Sequence, residues 1–286
     1  MSEPPSATAR AGRSLADDEP EVLLAWPFQR VKRGVWRGLV VTGGERDLAE
    51  EIPVVFTYNG STQVVMMASP CDLEDFALGF SLTEGIISHQ AEIESLEVIP
   101  ASAGVELRMC IARSQQEALH QRRLAGPTCC GPCGSESLAD TLPPIRNVHS
   151  DFAVPASFIS SELVEMAARQ HLNQQTHAVH AAAWCRPGQD MVLREDVGRH
   201  NALDKLAGAL AWMQAEAQQG FVLLSSRVSI AMVQKSAAIG IPVIVAISAP
   251  TALAVRACDH AGVTLIAVAR QNGFEVFTHP RRIRGR

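Results

Sequence analysis

Between Phe221 and Ala269 three short apolar runs, Phe221 to Leu224, Val243 to Ile247 and Val263 to Ala269, alternate with two helical segments, Ile230 to Ile239 and Ala252 to Ala261. Apolar runs this short, bounded by Gly, Pro and Ser, suit buried strands, and their alternation with helices leaves few topologies open. The pattern predicts right-handed β-α-β crossovers and parallel strands. In such a layer ligands collect beyond the carboxyl ends of the strands, here Ser225-Ser226-Arg227 and Ser248-Ala249-Pro250-Thr251, where following helix N-termini present N–H groups. That edge suits an anion. Upstream, a helix from Ser160 or Ser161 presents Leu163, Met166 and Ala167 on one face. Another from Asn201 presents Leu203, Leu206, Ala207 and Leu210, and both read as amphipathic.

The first half reads as sheet-rich. Ile52 to Tyr58 and Gln63 to Met67 are β-leaning runs joined by Asn59-Gly60, the dipeptide best suited to a tight hairpin. Ser69-Pro70-Cys71-Asp72-Leu73-Glu74 then opens a helix whose body carries Phe76, Leu78, Phe80 and Leu82 and whose stop is Thr83-Glu84-Gly85. Four segments are expected: a disordered tail over 1–24, a β-rich subdomain over 25–125, a mobile cysteine loop over 126–145 and an α/β subdomain over 146–286.

Composition removes several classes. With 47% hydrophobic and 19% charged residues the chain is globular. The richest apolar stretch, Ile239 to Ile247, is broken by Gly240 and Pro242, so no membrane helix is expected. Net charge is −5, which disfavours nucleic acid as a partner. The arginines at 281, 282, 284 and 286 form a run that is more often a solvated tail than a site, the alternative being that it helps hold a nearby phosphate. Seven cysteines without a secretory signal argue for reduced thiols, metal ligands or catalysis in a reducing cytoplasm.

Cys130-Gly131-Pro132-Cys133, with Cys129 adjacent, is the sharpest chemical signal. Two thiols at this spacing can share a metal, exchange a disulfide or carry a sulfane sulfur. A closed zinc site wants four ligands, and His120 and His149 do not complete one. A dithiol redox motif belongs between a strand and a helix, whereas this one lies in a Gly- and Pro-rich stretch. A second cluster, Arg194-Glu195-Asp196-Val197-Gly198-Arg199-His200-Asn201, is either a site or a capped helix start with ion pairs. His177 and His180 lead into an apolar run, where a histidine is usually a satisfied core residue.

These residues resemble the formate dehydrogenase accessory sulfurtransferases, the FdhD family, from about Glu50 to Ile283. The matching motifs are Pro70-Cys71-Asp72-Leu73-Glu74, Cys130-Gly131-Pro132-Cys133-Gly134 and Glu195-Asp196-Val197-Gly198-Arg199-His200-Asn201-Ala202. Met232-Val233-Gln234-Lys235, Gly240-Ile241-Pro242-Val243, Ala249-Pro250-Thr251 and Gly273-Phe274-Glu275-Val276-Phe277-Thr278 follow in order. The resemblance implies an α/β core similar to cytidine deaminases, a homodimer and a persulfide relay. A cysteine desulfurase would load Cys130, with Cys133 as an assisting thiol, and the sulfur would pass to molybdenum held by two pterin guanine dinucleotides for a formate dehydrogenase. Phe274, Glu275, Val276, Phe277, Thr278 and His279 would lie against that cofactor, helped by the Asp196 to Asn201 turn and the strand-end loops. The cofactor is a bound substrate, and no structural metal is expected. Deaminase chemistry is not implied, because His180 is followed by Ala181-Ala182 rather than a His-x-Glu pair. Two departures stand out: Cys129 occupies a position where a non-thiol is expected, and His177-Ala178-Val179 replaces a Gly-Gly-Thr. A cofactor-inserting chaperone that moves no sulfur and a zinc hydrolase are the competing classes.

Overall fold

In the computed structural model, which describes residues 26–112 and 144–285, the chain opens with a two-stranded ribbon, β1 (Phe28–Arg37) and β2 (Val40–Ala49). Arg30 and Asp47 form a bidentate pair across it. Next come β3 (Ile52–Tyr58) and β4 (Ser61–Ala68), joined by the expected hairpin turn, with Asn59 and Gly60 both at positive φ. The helix α1 (Leu73–Thr83) follows and ends before Gly85, whose φ of 62° needs no Cβ. Asp72 precedes it in a left-handed conformation and makes no side-chain cap. β5 (Ile93–Ala101) and β6 (Gly104–Ile111) complete a four-stranded sheet in the order β4-β3-β6-β5, with β3 and β6 parallel. Alternation puts Val54, Phe56, Tyr58, Val64, Leu107 and Met109 on the face that α1 covers, where the Phe56 ring lies 5.0 Å from Phe76 and 4.5 Å from Phe80.

The second half contains β7 (Val154–Pro155), α2 (Ala156–Arg169), α3 (His171–Thr176), β8 (His180–Cys185), β9 (Val192–Asp196) and α4 (Arg199–Trp212). The predicted alternation follows: β10 (Phe221–Leu224), α5 (Ile230–Ala238), β11 (Val243–Ala246), α6 (Ala252–Ala261) and β12 (Thr264–Arg270), then β13 (Gly273–Val276) and β14 (Ile283–Arg284). Six of these strands form one sheet, β13-β12-β11-β10-β8-β9. β10, β11 and β12 are parallel, as the pattern requires, and β8, β9 and β13 are antiparallel flanks. One face packs on α4, α5 and α6, the other on α2.

Two helix expectations need correction. α2 begins at Ala156, and the hydroxyls of Ser160 and Ser161 donate back to the Ala156 and Phe158 carbonyls from inside the helix instead of capping it. α4 is not amphipathic: every residue from His200 to Leu210 is buried, because the sheet lies on one side and α1 on the other. The α1–α4 contact is backbone-close. A Cβ on Gly79 would stand 1.7 Å from the Asp204 carbonyl oxygen, and one on Gly208 would stand 1.9 Å from that of Asp75.

Where α1, α4 and α5 meet, Lys235 Nζ donates to both Asp204 oxygens (2.9 and 3.0 Å), to Glu84 Oε1 (2.6 Å) and to Thr83 Oγ1 (3.1 Å). Burial, opposed by Lys235, pushes the Asp204 carboxyl up to about 6 from 3.8. The folded protein therefore binds this proton more tightly than the unfolded chain. The stability Asp204 contributes is complete below its unfolded value and is lost as pH rises through about 6. Asp204→Asn is expected to flatten the stability profile between about pH 4 and 6, measured as urea midpoints at each pH. An unchanged slope would refute the assignment.

Candidate functional site

The carboxyl edge of β10, β11 and β12 is a stitched platform. Ala181 N donates to Ser225 Oγ (2.8 Å), Ser225 N to Ala181 O (3.1 Å), and Thr251 N to Val228 O (3.0 Å), while Val228 and Pro250 form an isolated parallel bridge. Thr251 caps α6 by accepting from Ala254 N (3.2 Å), which removes one of the N–H groups expected to face a ligand. The starts of α4 at Gly198 and α5 at Ser229 have no such cap, and Ser229 Oγ is buried with no partner among the described residues. Val268, a β-branched residue at φ 52°, closes the platform by donating its N–H to Ser248 O (3.2 Å). A β-branched side chain in that conformation is a stored strain that surrounding structure must hold.

Positive charge gathers at the same edge. Half-buried His180 opens β8, and its imidazole is held below its ordinary range first by burial and then by Arg199 and Arg227. The imidazole is therefore neutral at pH 7, and the two guanidiniums supply the charge. Exposed Arg227 and the capless N-termini of α4 and α5 suit a phosphate group.

The Glu195 to Asn201 cluster divides. Asp196 is fully buried and accepts from Ser69 N (3.0 Å), Gly198 N (2.7 Å) and Asn201 Nδ2 (2.9 Å), and it pairs with fully buried Lys205 at 2.7 Å. Lys205 also donates to Ser69 O (3.0 Å), and Asn201 to Met67 O (2.9 Å). Glu195 accepts from Leu172 N and Asn173 N at the start of α3. Asp196 and Asn201 thus bind the two halves of the chain together, Glu195 ties down the start of α3, and in this turn Arg199 is the side chain placed to meet a ligand. Lys205 had no place in the sequence reading. The signal was there, as Asp204-Lys205 inside an otherwise apolar helix.

Phe274 to His279 runs along the outer edge of the sheet rather than at one point. Phe274 is half-buried against the α2 side, while Glu275, Val276 and Phe277 are exposed. Thr278 is buried, accepts from Leu265 N (2.8 Å) and donates to Val263 O (2.7 Å); His279 Nε2 lies 2.9 Å from Asp259 O. Because β13 is antiparallel to β12, Gly273 sits beside Arg270 at the carboxyl end and Phe277 beside Leu265 near the amino end. The stretch and the strand-end loops therefore meet only at Phe274, and Phe277 lies roughly a strand length away, about 13 Å.

Cys130, Cys133 and Cys129 lie outside the described residues. The described chain resumes at the opposite end of the sheet from the platform, where Val148 N donates to Ala261 O and Arg146 to Ala238 O at the ends of α6 and α5. Among the described thiols burial pushes Cys71 up to about 11 and Cys258 up to about 12, and raises Cys185 further. None of these three favours a thiolate at neutral pH. Among the described residues no group of three or more His, Cys, Asp or Glu converges on a metal-sized position, and no helix is long and apolar enough to cross a membrane.

Comparison with known proteins places this geometry. A sulfur carrier protein FdhD of Agrobacterium fabrum is 47% identical over 262 residues, covering 90% of this chain and 96% of its own. A protein of the same name from Cupriavidus necator is 44% identical over 286 residues, covering 99% and 96%. A crystal structure of a provisionally named formate dehydrogenase accessory protein from Desulfotalea psychrophila superposes with a TM-score of 0.71 at 28% identity, over 90% of this chain and 99% of that one. The α/β fold is thus shared with a solved relative. The FdhD/NarQ family matches residues 49–284, a span that includes both cysteine positions and the β13 edge, and the chain belongs to that family.

Proposed function

We propose that this protein is a cytoplasmic sulfur carrier for formate dehydrogenase. It takes a persulfide sulfur from a cysteine desulfurase onto Cys130 and delivers it to the molybdenum of a bound bis(pterin guanine dinucleotide) cofactor. The observation that carries the reading is the family match across residues 49–284, which contains Cys130-Gly131-Pro132-Cys133, together with relatives named as sulfur carrier proteins. Burial disfavours the thiolates of Cys71, Cys185 and Cys258, which leaves the paired motif and exposed Cys110 as the more accessible nucleophiles, and the family match supports the paired motif.

In the loading step the Cys130 thiolate attacks the outer sulfur of the donor persulfide and releases the donor's thiolate. Cys133 assists by its proximity, and the competing reaction is its own attack on the Cys130 persulfide, which would release sulfide and leave a disulfide. Delivery would break the Cys130 S–S bond, the outer sulfur passing to the metal of the bound substrate as sulfide with two electrons drawn from that metal, and Cys130 would be left as a thiolate. The cofactor's phosphates suit Arg199, Arg227 and the capless helix starts, and exposed Val276 and Phe277, toward the other end of β13, offer a separate apolar and aromatic surface for a guanine base. The protein works as a homodimer, its core is similar to that of cytidine deaminases, and no nucleic acid is involved.

Two measurements test this. Incubation with cysteine desulfurase and cysteine is expected to add one sulfur to the peptide bearing Cys130, read by mass spectrometry; persulfide confined to other cysteines would refute the carrier assignment. Guanosine diphosphate at a hundred times its dissociation constant is expected to stabilise the protein by about 2.7 kcal/mol, more than adenosine diphosphate does. Phe277→Ala should weaken that preference and leave sulfur loading intact. Equal shifts with both nucleotides would mean that phosphate alone is read, and no shift with either would remove the nucleotide site.

A further inference from the structure

Among the described residues six non-glycine side chains sit on left-handed backbone: Asn59, Asp72, His177, Gln214, Val268 and His279. Five are polar, and four of those are the Asn, Asp and His types enriched in that region. Val268 alone is apolar and β-branched, the poorest fit to it. The strand pairing shows why the conformation occurs. β12 and β13 pair Ala267 with Glu275 and Arg270 with Gly273, so Val268 and Ala269 together oppose Phe274 alone. Two residues against one is a β-bulge, and a left-handed first residue makes it the type in which that position is usually glycine. The bulge also turns the strand over. Ala267 packs on the α4, α5 and α6 side and Ala269 on the α2 side, although residues two apart on a regular strand share a face.

Glycine would meet the backbone requirement at lower cost. Valine gains little from the core to offset its strain, since Val268 is 36% exposed while Ala267 and Ala269 are buried. Bulges beside binding sites re-aim a side chain. Here the re-aimed residue is fixed to the platform. Besides the Val268 to Ser248 hydrogen bond, the Arg270 guanidinium donates to Ile247 O (2.5 Å) and Ala269 O (2.8 Å), so the bulge is tied to the chain leaving β11 at two points. That segment is tied in turn to β10, through Ile247 N on Leu224 O (2.9 Å).

Register sets the spacing along the edge. Leu223, Val245 and Ile266 form one row across β10, β11 and β12, so Ser225 and Val268 each stand two residues beyond it. Two strand spacings, about 10 Å, separate β12 from β10, the strand that runs out into Ser226 and Arg227. Of the exposed large apolar side chains among the described residues, Val268 is the one at this carboxyl edge. A phosphate held by Arg227 and the capless helix starts therefore has an apolar neighbour about as far away as a nucleotide's sugar and base extend.

We infer that Val268 is a binding residue of the platform, its side chain forming the apolar wall against which the nucleoside part of a phosphate-anchored ligand packs. The strain is kept because glycine would give no wall. Valine has no polar atom, so the contact reads the flat apolar face of the nucleoside and no base edge. This rests on the nucleotide reading above and adds a residue to it, with Val276 and Phe277 remaining a separate surface.

The test is isothermal titration of the full chain with guanosine diphosphate, adenosine diphosphate and inorganic pyrophosphate, for wild type, Val268→Gly and Val268→Ile. Glycine suits the left-handed backbone, so Val268→Gly is expected to stay folded, with circular dichroism as the check. Both nucleotides should bind it at least ~5-fold more weakly, with the ratio between them unchanged. Pyrophosphate, which has no nucleoside, should bind it as it binds wild type, and Val268→Ile, which keeps the wall, should bind all three as wild type does. Equal weakening of pyrophosphate would show that the bulge only shapes the loop, and unchanged nucleotide affinity in Val268→Gly would show that the side chain touches nothing bound. Either result overturns the Val268 contact and leaves the nucleotide site standing. A wild type that binds neither nucleotide overturns both.

Discussion

Cys130→Ala is expected to abolish support of formate dehydrogenase, a loss of more than about a hundredfold, because alanine offers no sulfur to load and removal of a nucleophile is not rescued by binding alone. Folding should be unaffected. The measurement is formate dehydrogenase activity in a strain whose only copy of the protein is the variant, with circular dichroism as the folding control. Cys71→Ala serves as the comparison: its thiol is half-buried and pushed up to about 11, so activity should persist. Wild-type activity with Cys130→Ala would end the relay. The Cys133→Ala result then sorts its role: equal severity means the sulfur visits both thiols, and a milder loss means that Cys133 assists.

The second large effect is on stability. Lys205 and Asp196 are both fully buried at 2.7 Å, and replacing either one with alanine strands an uncompensated charge in the interior. The cost expected is about 3–5 kcal/mol. That is a large share of the roughly 5–15 kcal/mol that holds an ordinary domain together. Asp196→Ala also orphans the Ser69 and Gly198 N–H groups and the Asn201 amide, so it should be the more severe of the two. Lys205→Met combined with Asp196→Asn removes both charges and should recover much of the loss. Urea unfolding gives the numbers; a single substitution costing less than about 1 kcal/mol would show that the pair is not the clamp described.

Much of this fold was legible because its signals are local. Asn59-Gly60 specifies a turn through backbone conformation alone, and the alternation from Phe221 to Ala269 specifies parallel strands because short apolar runs separated by helices have few other ways to bury themselves. Thr251 read correctly as a helix start for the same reason, although as a cap it consumes an N–H that the same reading had reserved for a ligand.

What misled was information that arises only when distant segments meet. Leu203, Leu206 and Leu210 look like one stripe of an amphipathic helix, yet α4 is buried all round because α1, more than a hundred residues earlier, covers the face the sheet leaves open. The acids and amide of Glu195 to Asn201 look like a site, yet Asp196 and Asn201 hold the halves together through Ser69 and Met67, and Glu195 ties down the start of α3 through Leu172. Phe274 to His279 and the strand-end loops look like one pocket until strand direction separates them along β13. The sequence by itself determined the local turns, the alternating layer, the cysteine motif and the family. Tertiary structure alone decided which polar residues are spent on packing and which stay open. A buried charge is tolerable only against a partner in space, and spacing along the chain does not name that partner.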